Sequence, residues 1–156
     1  MIWDSDSNQI YVLLASGDWQ AYEDTFVEDR DPAWDVDLPP PPLQSQRGFG
    51  KVWREQLGGP RSVLGWALEG ERAVDGWRQR FESGMLFWTD AAPGGSGDAG
   101  IAYLLYKDGT WRAVPATRPR STNPWPRVRV MAGKRGPGLR CGPRSSVGVI
   151  PKNRGL

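Results

Sequence analysis

The chain has 156 residues, a length that suits one domain or two small modules. It contains no His, so the commonest general base and metal ligand is missing, and its single Cys excludes an internal disulfide. Nine Trp, twenty Gly and fourteen Pro predict many turns and a small core built from large aromatic side chains. No apolar run is long enough to cross a membrane as a helix.

The net charge of +2 combines two segments of opposite character. Residues 1–116 hold all eighteen acidic residues and ten basic ones, whereas residues 117–156 hold ten basic residues and no acidic ones. Because a folded domain ordinarily mixes its charges, the change at Thr117 predicts a boundary between two kinds of chain. We expect residues 117–156 to be a basic, disordered tail with few contacts to the rest.

A repeat organises the acidic segment, because five positions of residues 1–22 return in residues 85–114. The matching pairs are Trp3 with Trp88, Tyr11 with Tyr103, Leu13 with Leu105, Gly17 with Gly109 and Trp19 with Trp111. An internal repeat of this kind predicts a slice of a tandem array. We therefore interpret residues 1–22 as the remnant β-hairpin of a preceding module, expected to dock on the intact module that follows.

In chain order, residues 10–14 and 19–22 are predicted strands joined by a turn at residues 16–18. Residues 23–46 are acidic and then proline-rich, which indicates a solvated linker, with Pro39 to Pro42 as an extended polyproline spacer. A proline-rich recognition motif is the alternative interpretation of this segment.

Residues 47–116 are predicted to be one intact module. Apolar residues at spacings of three and four predict a short helix over residues 50–57, with further turns or short helices at residues 62–65 and 69–74. Four strands follow, at residues 77–81, 85–88, 101–106 and 110–114. The expected fold is α+β: short helices, then a four-stranded antiparallel β meander, with an extra N-terminal β-hairpin. The side chains expected to be largely buried are Trp53, Trp77, Phe81, Trp88 and Trp111.

The segments GFGKVWRE, LGWALEGE, QRFESGMLFW and YLLYKDGTW resemble a repeat found in tandem on bacterial extracellular proteins and lipoproteins. Their middle part, from Leu64-Gly65 to Trp88, is similar to the LGFP repeat of cell-wall-associated proteins, although Trp66-Ala67 stands where that family has Phe-Pro. The resemblance covers residues 1–22 and 47–114. It implies a non-catalytic, surface-exposed module outside the cell, with cell-wall polysaccharide or a surface protein as partner.

Two constellations could carry chemistry. Glu69, Glu71, Asp75 and Glu82 lie near several Trp in the sequence, and a glycosidase needs two carboxylates beside an aromatic subsite. Helix capping and surface exposure explain these acids more simply. The run Asp4-x-Asp6-x-Asn8 resembles the start of a calcium loop, but Gln9 replaces the required Gly, so a polar hairpin loop is the better interpretation. We assign no catalytic residue, metal site or cofactor.

Trp66, Trp77 and Glu71 are the predicted ligand-binding residues. Trp side chains stack on sugar rings and anchor partner proteins, and these two flank the acidic connection between helices and strands.

The tail allows two hypotheses. Taken at face value, its ten basic residues could bind nucleic acid or another polyanion through scattered charge, without sequence specificity. Alternatively, it is a third module read out of frame, because the codons of Met131-Ala132 give Trp when read one nucleotide later. The leading hypothesis is a gene fragment of an extracellular repeat protein that serves binding or spacing. Polyanion binding is the alternative, and a small carbohydrate-active enzyme is the third.

Overall fold

A computed structural model describes residues 1–90, 99–117 and 127–131. Three strands come first: β1 (Ile2–Asp4), β2 (Gln9–Leu13) and β3 (Trp19–Glu23). Helix α1 (Arg47–Lys51) continues as a π-helical segment (Val52–Gln56), and a 3-10 helix follows (Gly59–Arg61). The remaining strands are β4 (Ala73–Phe81), β5 (Gly84–Thr89), β6 (Ala99–Tyr106), β7 (Trp111–Thr117) and β8 (Arg127–Met131).

All eight strands belong to one sheet with the order β3-β2-β1-β8-β4-β5-β6-β7, and every neighbouring pair is antiparallel. Strands β4 to β7 form the four-stranded meander that the sequence predicts. Strands β2 and β3 form the N-terminal hairpin, and the helical segments precede the meander. The predicted α+β fold is therefore confirmed.

The two copies of the repeat have the same strand register. We call residues 1–25 the first copy and residues 84–117 the second copy. Trp3 pairs with Ile10 in the first copy just as Trp88 pairs with Ala102 in the second. Leu13 likewise pairs with Trp19, and Leu105 with Trp111. The repeated residues thus fix equivalent positions: β1, β2 and β3 correspond to β5, β6 and β7.

The sheet has an inner face on which the two copies share one core. Tyr11 and Phe87 come from different copies, and their ring centroids lie 4.9 Å apart. Because side chains alternate along a strand, equivalent residues of the two copies have side chains that point to the inner face. The buried members of this core are Ile2, Tyr11, Phe87 and Leu105, and the partly buried ones are Leu13, Trp19, Val74, Met85, Tyr103 and Trp111.

A second core lies on the outer face of the first copy. Ile10 and Val12 of β2 are 1% and 0% exposed because Phe49 and Val52 of the helical segment cover them. Leu57 and Leu64 extend this cover, and Met1, Trp3, Leu14 and Tyr22 complete it from the first copy. The predicted amphipathic helix therefore exists, and its apolar side packs on the first copy.

The burial predictions succeed in part. Trp53 and Trp88 are each 2% exposed, whereas Trp77 and Trp111 are only half-buried. The prediction for Phe81 is wrong, since its side chain is 53% exposed. Phe81 ends β4 and pairs with Gly84, which has no side chain to lie against its ring.

Residues 23–46 differ from the solvated spacer that their composition predicts. Asp24 and Phe26 are each 6% exposed, and Gln44 is 1% exposed. The Gln44 amide donates to the backbone carbonyls of Asp35 and Pro39 and accepts from the Asp35 N–H. These bonds close residues 35–44 into a loop that packs on the fold, because one buried amide satisfies three backbone groups.

Two further expectations fail. Residues 69–74 contain no helical turn, since β4 already begins at Ala73 and pairs there with Met131. The expectation of few contacts for residues 117–156 is wrong at β8, which hydrogen-bonds to β1 on one side and to β4 on the other. Residues 118–126 and 132–156 lie outside the described part of the chain, as does the prediction that they are disordered.

Candidate functional site

Trp66 lies in the loop after the 3-10 helix and is 39% exposed. Its ring centroid is 5.8 Å from that of buried Trp53, and the planes are tilted by 51°. Trp53 is held in turn, because its indole Nε1–H donates to the Gly65 carbonyl at 2.9 Å. One ring of the pair is thus fixed in the fold while the other remains accessible, which is the arrangement of an aromatic platform for a sugar or a partner side chain.

Trp77 occupies a different kind of place. It is half-buried on β4 and packs against Trp88 of β5, with ring centroids 4.7 Å apart. The two residues are also direct cross-strand partners in the sheet. A tilted aromatic pair of this kind stabilises the sheet. Trp66 and Trp77 therefore lie in separate aromatic pairs, and the predicted site does not form as one cluster around them.

The third predicted residue, Glu71, is part of the helix start. Its carboxylate accepts the backbone N–H of Gln46 at 2.6 Å, and Gln46 is the residue that immediately precedes α1. Burial raises the pKa of Glu71 to about 7, and the hydrogen bond from Gln46 and the charge of Arg47 oppose that rise. The raised pKa results from placing a carboxyl group in a structural position, since the side chain satisfies the backbone next to a helix N-terminus.

Of the other acids proposed for sugar hydrolysis, the side chain of Asp75 lies outside the described part of the structure, and Glu69 and Glu82 do not join Glu71 in a described cleft. Glu69 and Glu82 are both exposed, and Glu82 lies in the turn between β4 and β5. A general acid needs a raised pKa, which burial would have to supply. Among the described residues, no group of three or more His, Cys, Asp or Glu side chains could hold a metal ion.

The Asp4 carboxylate is bound by neighbouring groups of the protein itself. It accepts from the Asp6 N–H and the Ser7 hydroxyl and forms an ion pair with the Arg78 guanidinium of β4. Asp4 is 0% exposed. Burial of the Arg78 guanidinium, and to a smaller extent the charge of Arg80, lowers the pKa of Arg78. The turn between β1 and β2 is thus a polar hairpin loop, in agreement with the preferred interpretation of its sequence.

Sequence reasoning missed the contact between the turns of the two copies. The Trp19 N–H donates to the Gly109 carbonyl, and the Trp111 N–H donates to the Gly17 carbonyl, both at 2.8 Å. Asp18 and Thr110 form the β-bridge between these bonds. Gly17 and Gly109 have φ values of 94° and 87°, a left-handed conformation that Gly adopts at low cost, which explains their recurrence in the repeat.

The indole N–H groups of the same two Trp residues form a second reciprocal pair of hydrogen bonds. Trp19 Nε1 donates to the Tyr106 carbonyl, and Trp111 Nε1 donates to the Leu14 carbonyl, both at 2.9 Å. Tyr106 and Leu14 occupy equivalent positions, so the two copies are related by an approximate two-fold axis. The available signal in the sequence was the recurrence of Gly17 as Gly109 and of Trp19 as Trp111, because these residues lie where the copies touch. Within the described residues, this interface between copies is therefore a reciprocal structural contact.

A cavity of about 280 Å³ lies between β3 and the helical segment. Its wall includes Tyr22, Glu23, Lys51 and Glu55. The Lys51 ammonium lies 2.9 Å from the Asp31 carboxylate and also donates to the Thr25 carbonyl. The hydrogen bonds that the Asp31 carboxylate accepts from Lys51 and from the Val27 N–H lower the pKa of Asp31. The cavity has room for a small polar molecule, but its cation is already engaged.

Comparisons with models of protein families, with curated proteins and with solved structures found no match to this chain. The described helices include none that is long and apolar enough to span a membrane.

Proposed function

We propose that the chain is a non-catalytic repeat module of a bacterial extracellular or cell-surface protein, in which it serves spacing and binding. The supporting sequence feature is the resemblance to tandem modules of such proteins. The supporting structural feature is the approximate two-fold relation between the two copies.

The reciprocal turn contact is the observation that carries the proposal. Each copy gives one backbone N–H and one indole N–H to the other, and each accepts the same pair in return. A reciprocal two-fold contact uses the turns of both copies at once, so it joins the two copies into one closed unit. A unit of this kind has a fixed length, which is what a surface spacer requires of each of its modules.

Single-molecule stretching tests the spacing role. Pulling between residue 1 and residue 117 of the full chain should give one unfolding event, because both copies contribute to one core. At about 3.5 Å per residue, the chain should lengthen by about 40 nm in that event. Two separate, shorter events would show that the copies are independent, and they would overturn the spacing role.

Trp66 supports the binding role, since its partly exposed ring rests on a fixed one. The chain should sediment with purified bacterial cell walls, and Trp66→Ala should weaken that association at least about fivefold. Trp34→Ala is the matched control, because Trp34 is exposed to a similar degree, 36% against 39%. Equal loss in both variants, or no association of the unmodified chain, would exclude Trp66 as a binding platform.

A further inference from the structure

The outer faces of the two copies carry equivalent side chains in different surroundings. In the first copy, Val12 is 0% exposed, and Leu14 and Tyr22 are half-buried under the helical segment and the residues that follow it. All three belong to the outer core that Phe49 and Val52 complete. The first copy therefore folds with its outer face covered.

In the second copy, the equivalent positions hold Leu104, Tyr106 and Val114. Leu104 is half-buried, Tyr106 is 37% exposed and Val114 is 42% exposed. The side chain at each of these positions is again apolar or aromatic, although β7 is an edge strand, where charged residues are the usual protection. The pattern is that of a covered face, but no described helix lies on it.

A shallow apolar cavity marks the same surface. Its volume is about 210 Å³, and its wall includes Phe81, Leu86, Leu104 and Tyr106. Phe81 is the residue whose 53% exposure contradicts its sequence pattern. An aromatic side chain with that exposure beside an apolar cavity is typical of a surface that a partner covers.

We infer that this outer face of the second copy, defined by Phe81, Leu86, Leu104, Tyr106 and Val114, is a docking surface for an amphipathic helix of the Arg47–Gln56 type, supplied by a further copy of the repeat. The inference rests on the proposed repeat function. The occupant follows from the first copy, where a helix of this sequence covers the equivalent positions of a sheet with identical register. Helix docking then links the second copy to a further module, whereas the contact between turns joins only the two copies that it already pairs.

The test joins a second segment with the sequence of residues 45–68 to the C-terminus of the full chain through a flexible Gly/Ser linker. A helix this short is marginal alone in water, and a short flexible linker supplies an effective concentration in the millimolar range. The readout is the protection of the Leu86 and Leu104 methyl groups from a soluble paramagnetic probe in NMR spectra. The matched control carries Phe49→Ser and Val52→Ser in the added segment only.

Protection with the native segment and none with the control segment is the expected result. Val114→Lys in the second copy should then lower the ratio of docked to undocked segment at least about tenfold, since an ammonium would be buried in an apolar contact. Ala113→Lys adds the same charge to the same edge strand on its opposite face, and it should leave that ratio unchanged. If Val114→Lys fails to fold, Tyr106→Lys serves the same purpose.

Equal protection by the native and control segments, or none by either, would overturn the inference. So would methyl groups that are protected before any segment is added and become accessible when residues 132–156 are deleted, because the chain's own tail would then be the occupant. Docking is measured without cell walls and without force. Failure here therefore leaves the spacing and wall-binding tests unaffected, and their failure leaves docking standing.

Discussion

In the first copy, Ile2 and Tyr11 enter the shared core from β1 and β2, and in the second copy Phe87 and Tyr103 do so from the same positions of β5 and β6. The outer faces differ, since a helix covers Val12 while the equivalent Leu104 remains half-buried. The comparison shows that the repeated residues determine register and the inner face. Burial of the outer face depends on which segment packs against it.

The largest expected difference between the copies is at Trp3 and Trp88. Trp88→Ala should lower the free energy of unfolding by about 3–5 kcal/mol, because this ring is 2% exposed and packs on Trp77. Trp3→Ala should cost about 1–3 kcal/mol, since Trp3 is only half-buried. Urea denaturation of both variants measures the difference. Equal costs would mean that the two positions are energetically equivalent despite their different burial.

At Val12 and its equivalent Leu104, which are also on the outer face, the helix cover should reverse the difference. Val12→Ala should cost about 2–4 kcal/mol, because its side chain is 0% exposed beneath the helical segment. Leu104→Ala removes more carbon atoms but should cost only about 1 kcal/mol, because partly exposed atoms lose less on truncation. Thermal unfolding of the two variants under identical conditions provides the test. A larger loss for Leu104→Ala would show that the second face is already covered.

Glu71 lies beside the start of the helix that packs on the first copy, so it should make the stability of that contact depend on pH. Its folded pKa is about 7, above the usual 4.5, so the folded state binds the proton more tightly. The protonated Glu71 therefore contributes about 1–3 kcal/mol to the free energy of unfolding. This contribution is complete below about pH 4.5 and is lost as the pH rises through about 7. Glu71→Gln should remove this decline in denaturation series from pH 4 to pH 8.

Exposed Glu69 is the control for that series, and Glu69→Gln should leave the decline in place. A decline that persists unchanged in Glu71→Gln would assign the pH dependence to another group.

The smallest expected effect is the one that should be the same in both copies. Trp19→Phe and Trp111→Phe each remove one indole N–H that donates across the turn contact, so each should cost about 0.5–1.5 kcal/mol. Equal costs within experimental error would confirm the two-fold relation. A double variant that costs clearly less than the sum would show that the two bonds form as one unit.

The sequence predicted the strands well because their signal is local. Alternation around Tyr103 and the turn at Gly109 indicate a hairpin without knowledge of its neighbours, and the repeat supplies the register. The helix over residues 50–57 was predictable for the same reason. What failed depended on distant partners: β4 begins at Ala73 because β8 pairs with it, and Phe81 is exposed because its cross-strand neighbour is Gly84.

The candidate site was less predictable than the fold. Trp66 has the partial exposure that a ligand-binding residue needs, but the sequence did not indicate that the Glu71 carboxylate accepts the Gln46 N–H at the start of the helix. A carboxylate near Trp residues has the same sequence pattern in both roles, and only the position of the Gln46 N–H distinguishes them. Gly17 and Trp19 carried the signal for the contact between copies, but a repeat alone does not show that its copies touch.

The ion pair between Asp4 and Arg78 has a consequence for how such a protein can evolve. The position of Asp4 in the second copy is occupied by Thr89, which is 3% exposed and, among the described residues, leaves its hydroxyl without a hydrogen-bond partner. Exchanging the two copies by recombination would therefore separate a buried carboxylate from its guanidinium and leave each charge uncompensated, a change that costs several kcal/mol. Each copy is thus adapted to its own place, and the order of the repeats is inherited along with their sequence.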